Sequence, residues 1–348
     1  MSYARDTIAR ISGYVPGEQP GERPFVKLNT NENPYAPAPR LASVLREFPW
    51  ERLRLYSEPS AKMLRQAAAE VYGLLMEQII CGNGSDDLLT IALRTFVDQG
   101  GSLAYTEPSY SLYPVLADLQ GAKHCPVELD ANFELPENAA ALAQGASLFL
   151  LARPNAPSGN SFPLASVKKL CREFAGVVWI DEAYADFAED NCLALLEEFP
   201  NVVVSRTFSK SFSLAGLRLG LAFSSLEIIR ELEKVKDSYN VDMLSQHLGK
   251  AALEEIDHML ANVEKIKATR QACSEQLSAL GCQVLPSQAN FLFLRPPKPA
   301  AEVFAALRER GYLVRYFALP RVSDYIRISI GSDEQMRGLL ASMREICA

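Results

Sequence analysis

A single lysine, Lys210, stands among hydroxyls in the run Ser205-Arg206-Thr207-Phe208-Ser209-Lys210-Ser211-Phe212-Ser213. The run follows the apolar Val202-Val203-Val204, and Arg218 lies eight residues beyond the lysine. No acidic residue neighbours Lys210 in the run, so nothing local supplies a salt bridge. In a hydroxyl-lined, partly desolvated site an ammonium loses its preference for the charged form, and the free amine becomes a nucleophile. The hydroxyls of Thr207 and Ser209 and the guanidinium of Arg218 suit a phosphate monoester. Together these types, in this order, point to a Schiff-base lysine that holds pyridoxal 5′-phosphate (PLP).

Three further clusters belong to the same chemistry. Asp181-Glu182-Ala183-Tyr184 follows the apolar run Val177-Val178-Trp179-Ile180. A carboxylate at the carboxyl end of a parallel strand faces the crevice in which α/β proteins bind ligands, and PLP needs such a group beside its ring nitrogen to stay protonated. Without Lys210, Asp181 would read equally well as a helix or turn cap. Arg153-Pro154-Asn155-Ala156-Pro157-Ser158-Gly159 follows Leu148 to Ala152; its prolines and glycine fix a loop in which Asn155, standing alone, would be a turn asparagine. Gly82-Asn83-Gly84-Ser85-Asp86-Asp87 opens a predicted helix from Asp86 to Phe96 and would present the amides of Gly84, Ser85 and Asp86 to a phosphate. A lone Gly-x-Gly is more often a plain turn. The carboxylates of Asp86 and Asp87 are expected to point away, because they would repel a phosphate at close range.

The lysine segment resembles that of the fold-type-I PLP-dependent transferases. More closely, the chain is similar to the histidinol-phosphate aminotransferases, from Tyr14-Val15-Pro16-Gly17 to Arg327-Ile328-Ser329-Ile330-Gly331. The resemblance implies transamination of L-histidinol phosphate with 2-oxoglutarate, giving imidazole acetol phosphate and glutamate, in histidine biosynthesis. It implies that Lys210, Asp181 and Tyr184 do the chemistry. It gives Tyr184 and Asn155 contacts to the phenolic oxygen of the cofactor, Tyr110 a stacking position on its ring, and Ser209, Arg218 and Thr207 the phosphate. Tyr56 would reach the cofactor phosphate of a neighbouring subunit, which implies a homodimer. Tyr14 and Asn33, in an N-terminal lid, would enclose the substrate, and Arg327 with Arg315 would grip its anionic end. Many relatives read Asn-Asn-Pro-Thr-Gly where this chain has Ala156 and Ser158; neither departure touches Asn155. An aromatic-amino-acid aminotransferase or a threonine-phosphate decarboxylase would share most of these features. A dinucleotide-binding protein would need a third glycine after Gly84, and acidic residues stand there instead.

The elements that must position these residues are legible in outline. The 348 residues suffice for two domains, and 48% hydrophobic content for a substantial core. A formal net charge of −7 argues against nonspecific nucleic-acid binding. Seven cysteines without a CxxC spacing read as reduced thiols of a cytoplasmic protein, and three histidines make a histidine-rich metal site a poor expectation. No apolar run is long enough for a membrane helix, and Met1-Ser2-Tyr3-Ala4-Arg5-Asp6 lacks an apolar leader core. Apolar runs at Leu103-Ala104-Tyr105, Leu148 to Ala152, Val177 to Ile180, Val202 to Val204 and Leu219 to Phe223 alternate with helical stretches, which predicts an α/β fold with a mostly parallel central sheet. Helices are expected over Leu41 to Phe48, over Ser60 to Tyr72 with Ser60 as cap and Met63, Leu64, Ala67, Ala68 and Val71 as its face, and over a long, broken stretch from Ser245 to Leu280. Strands at Ala289 to Leu294, Tyr312 to Arg315 and Tyr325 to Ile330, with helices at Ala300 to Arg310 and Asp333 to Ile346, form a second unit. The expected organisation is an N-terminal arm and part of the small domain over 1–40, a large PLP-binding domain over 41–255 and a small α/β domain over 256–348.

Overall fold

The apolar runs form strands because both of their faces are covered. The computed structural model describes residues 3–21 and 24–348, so Met1 and Ser2 of the segment read for a leader lie outside the described residues. The strands are β1 (Val26–Lys27), β2 (Ile79–Gly82), β3 (Ser102–Glu107), β4 (Lys123–Glu128), β5 (Leu148–Ala152), β6 (Val177–Asp181), β7 (Val202–Thr207), β8 (Gly220–Ser224), β9 (Gln283–Val284), β10 (Phe291–Arg295), β11 (Tyr312–Leu313), β12 (Arg315–Tyr316) and β13 (Ile326–Ser329). Seven of them make the central sheet, in the order β2-β8-β7-β6-β5-β3-β4. Only β8 in this sheet runs against its neighbours. Strands β5, β7 and β8 are buried at every position, as strands sandwiched between helical layers must be.

Where the fold departs from the pattern, a local cause is visible. Strand β4 is not predicted by periodicity: Lys123-His124-Cys125-Pro126-Val127-Glu128 buries only Val127, because it is a sheet edge, where charges and proline are tolerated. The helix expected from Ser60 begins at Lys62, and Ser60 does not cap it. Instead, the Lys62 amide donates to the Glu58 carboxylate at 2.6 Å and the Ser60 hydroxyl donates to the same group at 2.7 Å. A carboxylate is a stronger acceptor for first-turn donors than a hydroxyl. Leu64, Ala67 and Ala68 are buried, whereas Met63 faces outward. The stretch from Ser245 to Leu280 is two helices, Met243–Glu254 and Ile256–Ala279, interrupted at Glu255; the first is capped by Asp242, which accepts from the Ser245 amide at 2.9 Å.

The smaller sheet, β12-β13-β10-β9, is antiparallel throughout. The strand expected over Tyr312 to Arg315 is divided at Val314. Its first part, β11, pairs in parallel with β1, and its second, β12, pairs with β13. The N-terminal segment is thereby woven into the C-terminal unit. Leu28 N–H donates to Leu313 O at 2.8 Å, Ser329 N–H to Leu28 O at 2.9 Å, and Asn290 Nδ2 to Asn31 O at 2.9 Å. Among the described residues no helix is long and apolar enough to cross a membrane.

Topology decides where chemistry can occur. The carboxyl ends of β2, β3, β5, β6 and β7 share one edge of the sheet, and β8, running backwards, begins at that same edge. Arg218, just before β8, thus arrives beside residues that follow the ends of the parallel strands.

Candidate active site

The chain turns sharply at the end of β7. The Ser209 amide donates to Thr207 Oγ1 at 3.2 Å, and the Thr207 hydroxyl donates to Ser209 Oγ at 3.0 Å. The turn leaves Lys210 on the wall of a cavity that Thr30, Asn31, Ser85, Asp86, Tyr110, Asp181, Tyr184 and Arg327 also line. Lys210 Nζ donates to Thr30 O at 3.0 Å and lies 5.8 Å from the centre of the Tyr184 ring. Loss of hydration pushes the Lys210 pKa down to about 8, and the charge of Arg327 acts in the same direction. Asn33 does not line this cavity. Its Nδ2 donates to Lys210 O at 3.2 Å and Ser211 O at 3.0 Å, so it acts on the backbone of the lysine.

Asp181 ends β6 and is 5% exposed. Its Oδ2 accepts from the Tyr113 hydroxyl at 3.1 Å and its Oδ1 from the Ala183 amide at 3.2 Å. Among the described residues no cationic side chain pairs with it. Burial therefore raises its pKa to about 6, opposed in part by the Tyr113 hydrogen bond. Tyr184 stands above, its hydroxyl accepting from Asn31 Nδ2 at 2.9 Å and its ring edge-on to Phe291.

A cradle of donors lies at the other end of the cavity. Gly84 has φ +86, and a Cβ there would sit 2.7 Å from Arg218 Nη2; a Cβ on Gly220 would sit 2.7 Å from the Gly84 carbonyl carbon. Only glycine lets the start of β8 and the loop after β2 close to this distance. The N-terminus of helix Ser85–Phe96 opens here without a side-chain cap, and Arg218 Nη1 donates to Ser209 Oγ at 3.3 Å. One expectation is corrected. Asp87 does turn back, accepting from the Asn83 amide at 2.8 Å, but Asp86 points into the cavity. Asp86 Oδ1 accepts from the Tyr110 hydroxyl at 3.2 Å and Oδ2 lies 3.5 Å from Arg218 Nη2. The attraction of these two donors outweighs the preference for solvent that a first-turn aspartate otherwise has.

Arg327 and Arg315 are direct cross-strand partners on β13 and β12. Like charges placed opposite one another destabilise a sheet, so the pairing calls for an anion between or beside them. Arg327 Nη2 donates to Asn29 O at 3.0 Å, its Nε is buried without a partner, and its guanidinium lies between the rings of Phe291 (5.2 Å) and Phe317 (5.5 Å). Arg315 donates to Val15 O at 3.1 Å and Pro16 O at 3.3 Å, which fastens the N-terminal arm; Tyr14, on that arm, meets Tyr110 edge-on at 5.8 Å.

Two expected contacts sit apart. The Asn155 side chain does not line the cavity. Its Nδ2 donates to Pro108 O at 3.1 Å and Ser158 Oγ at 2.8 Å, and its Oδ1 accepts from Ser109 at 2.7 Å. To reach a ring in the cavity, Nδ2 would have to exchange one of these partners for it. Tyr56 is 79% exposed and stacks on Tyr239, away from the cavity. Conversely, Tyr113, Asn31, Thr30 and Glu32 belong to the site without having been singled out one by one. A tyrosine one turn after Tyr110 and a second asparagine before Asn33 were the signals available.

The geometry fits a phosphorylated aldehyde with a basic ring. Lys210 offers a poorly hydrated amine, Asp181 a buried carboxylate with no cation beside it among the described residues, and the Gly84–Ser85 amides with Thr207, Ser209 and Arg218 an anion cradle. PLP has these three features.

A family model for aminotransferase class I and II matches residues 23–343. The chain is 46% identical over 348 residues, 99% of each protein, to a histidinol-phosphate aminotransferase of Synechocystis sp.. It is 44% identical to one of Microcystis aeruginosa, again over 99% of both. Its fold is similar to the crystal structure of histidinol-phosphate aminotransferase from Sinorhizobium meliloti in complex with pyridoxal-5′-phosphate, with a TM-score of 0.91 at 25% identity, covering 100% of this chain and 98% of that one.

Proposed function

The chain belongs to the aminotransferase class I and II family, and on that premise we propose that it transfers the amino group of L-histidinol phosphate to 2-oxoglutarate with PLP as cofactor. The products are imidazole acetol phosphate and glutamate, and the reaction serves histidine biosynthesis. One observation carries the reading: around Lys210 stand a buried carboxylate, Asp181, and a buried guanidinium, Arg327, that have no partner of opposite charge among the described residues.

Bound PLP supplies an electron sink for the pair left when the Cα–H bond of the substrate breaks. Lys210 Nζ would be the amine that holds the aldehyde of PLP and, once the substrate amine has taken its place there, the base that moves the Cα proton. Its lowered pKa keeps a useful fraction in the neutral, basic form near neutral pH. Asp181 holds the proton on the ring nitrogen, and Tyr113 orients the carboxylate for that purpose. The amides of Gly84, Ser85 and Asp86, the hydroxyls of Thr207 and Ser209, and Arg218 would hold the phosphate, and Tyr110 would stand against the ring. Tyr184 and Asn155 bind the phenolic oxygen, the latter by exchanging a present partner. Arg327 and Arg315 bind the anionic end of either substrate, Tyr14 covers it, and Asn33 steadies the backbone of Lys210.

A visible spectrum of the purified protein tests this. A yellow band that bleaches on adding L-histidinol phosphate without acceptor is expected. A band that ignores this donor but responds to phenylalanine would move the assignment to an aromatic-amino-acid aminotransferase, and released carbon dioxide to a threonine-phosphate decarboxylase. No band after added PLP would sink the cofactor reading itself.

The same reading extends to a homodimer. Trp50, Leu53, Leu55 and Tyr56 are all at least half exposed in the single chain, an apolar patch that suits burial against a second copy. Tyr56 then reaches the cofactor phosphate of the neighbour. Sedimentation should give twice the 38.4 kDa chain mass, and Tyr56→Ala should weaken PLP binding about tenfold, the loss of one hydrogen bond to a charged group. A monomer with full PLP affinity would contradict it. We place the boundary between a large domain (41–255) and a small one (256–348, with 1–40) at the helix break at Glu255. The seven unpaired cysteines suit the reducing cytoplasm.

A further inference from the structure

Four groups immediately behind Lys210 have no part in the mechanism above. Glu182 follows Asp181, and its side chain is fully buried. Arg206, on β7, donates from Nε to Glu182 Oε2 at 3.0 Å and from Nη1 to Asp186 Oδ1 at 2.7 Å. Asp186 Oδ2 in turn accepts from the Ser211 hydroxyl at 2.5 Å. The remaining Glu182 oxygen accepts from the Cys192 amide at 2.5 Å, and the Arg206 guanidinium lies 5.6 Å from the Tyr72 ring centre.

Such a cluster is costly as a stabilising device. Buried ion pairs often do no better than apolar packing of similar volume, and two carboxylates on one guanidinium leave a net negative charge out of water. What the cluster does is geometric. It bonds the end of β6 and the turn after it, which carry Asp181 and Tyr184, to the segment after β7, which carries Lys210. The bridge ends on Ser211, the residue after the lysine. From the other side Asn33 Nδ2 grips Lys210 O and Ser211 O. The lysine backbone is held between these two fastenings, while its side chain projects into the cavity.

We propose that Glu182, Arg206, Asp186 and Ser211 form a positioning relay that fixes the spacing and orientation of Lys210 relative to Asp181 and Tyr184. None of the four touches substrate or cofactor; they act through the Lys210 backbone. The proposal rests on the PLP aminotransferase reading of the site. A loosened lysine would still form its bond to PLP, because that step needs only a neutral amine within reach of the aldehyde. It transfers the Cα proton less well, because proton transfer depends on orientation at every turnover.

The mildest probe is Ser211→Ala in the PLP-loaded protein, since it deletes one hydrogen bond and no charge. We expect kcat to fall about 5- to 20-fold with the KM for L-histidinol phosphate changed less than twofold. The pH midpoint of the visible band should move measurably, because the environment of the lysine nitrogen changes with its placement. Ser211→Thr, which keeps the hydroxyl, should restore most of kcat and the midpoint. Asp186→Asn should reproduce the Ser211→Ala effect, and the double variant should add little to it. Ser211→Ala with unaltered kcat and midpoint, even with a lowered melting temperature, would reduce the cluster to a structural role and overturn the proposal. Failure of the unaltered protein to form a visible band at all would instead strike the PLP reading on which the proposal stands.

Discussion

Lys210→Ala should cut turnover by at least about 10⁴-fold, the upper range for a single general base, with no compensation from raised substrate concentration. The loss is this large because one nitrogen has two duties, holding the aldehyde and moving the Cα proton. Among the described residues that line the cavity, no histidine or second lysine can take over. The variant should keep its fold and its phosphate cradle, so PLP should still bind, without the yellow band of a lysine-bound cofactor. The unaltered, cofactor-free protein supplies the complementary test. Only the neutral amine attacks an aldehyde, and burial has moved the Lys210 pKa from 10.5 down to about 8. The rate of PLP uptake should therefore rise with pH through about 8 and then level. A midpoint near 10.5, or Lys210→Ala with near-normal turnover, would remove Lys210 from the mechanism.

Asp181→Asn should change two properties in opposite directions. Asparagine has the same shape, and its amide can still satisfy Tyr113 and Ala183 once the tyrosine hydroxyl rotates. It cannot offset a ring cation, and kcat should fall about 10²- to 10³-fold, as for other lost electrostatic groups at a reacting centre. Stability of the cofactor-free protein should move the other way. The Asp181 pKa is raised from 3.8 to about 6 in the folded state, so folding favours the protonated acid. That contribution is present at low pH and disappears as pH rises through about 6, beyond which an unpaired carboxylate is buried. At pH 8 the cofactor-free variant should melt above the unaltered protein, and the gap should close towards pH 4, where both side chains are neutral. A variant that melts lower at pH 8, or keeps kcat within a fewfold, would show that Asp181 is not the partner of the ring.

Much of this was legible in the chain because the informative residues follow apolar runs. Lys210 after Val202-Val203-Val204, Asp181 after Val177-Val178-Trp179-Ile180 and Gly84 after Ile79-Ile80 are all local signals, and a parallel sheet carries each to the same edge. What was not legible depends on register or on distant partners. That Arg315 opposes Arg327 follows from the β12–β13 pairing, which places residues twelve apart side by side. That Tyr113 meets Asp181, or Asn31 meets Tyr184, requires segments far apart in sequence to be packed first. The inward turn of Asp86 runs against the repulsion of an expected anion because Tyr110 and Arg218, neither adjacent in sequence, attract it. Strand β4 was missed because an edge need not be apolar.

The interweaving of the two chain ends has a consequence for how the protein is made. Thr30 and Asn31 touch Lys210 and Tyr184; Asn31 is held by Ser329 and Asn290, and Leu28, two residues before Thr30, by Leu313. On a ribosome these early residues emerge more than 250 positions before Asn290, and they have no sheet to join until β11 and β13 have been synthesised. The sheet that carries Lys210 and Asp181 can form well before then, but the chamber around them stays unfinished. A nascent or truncated chain can therefore present the lysine without the wall that receives substrate. Catalytic competence arrives only with the last strands of the polypeptide.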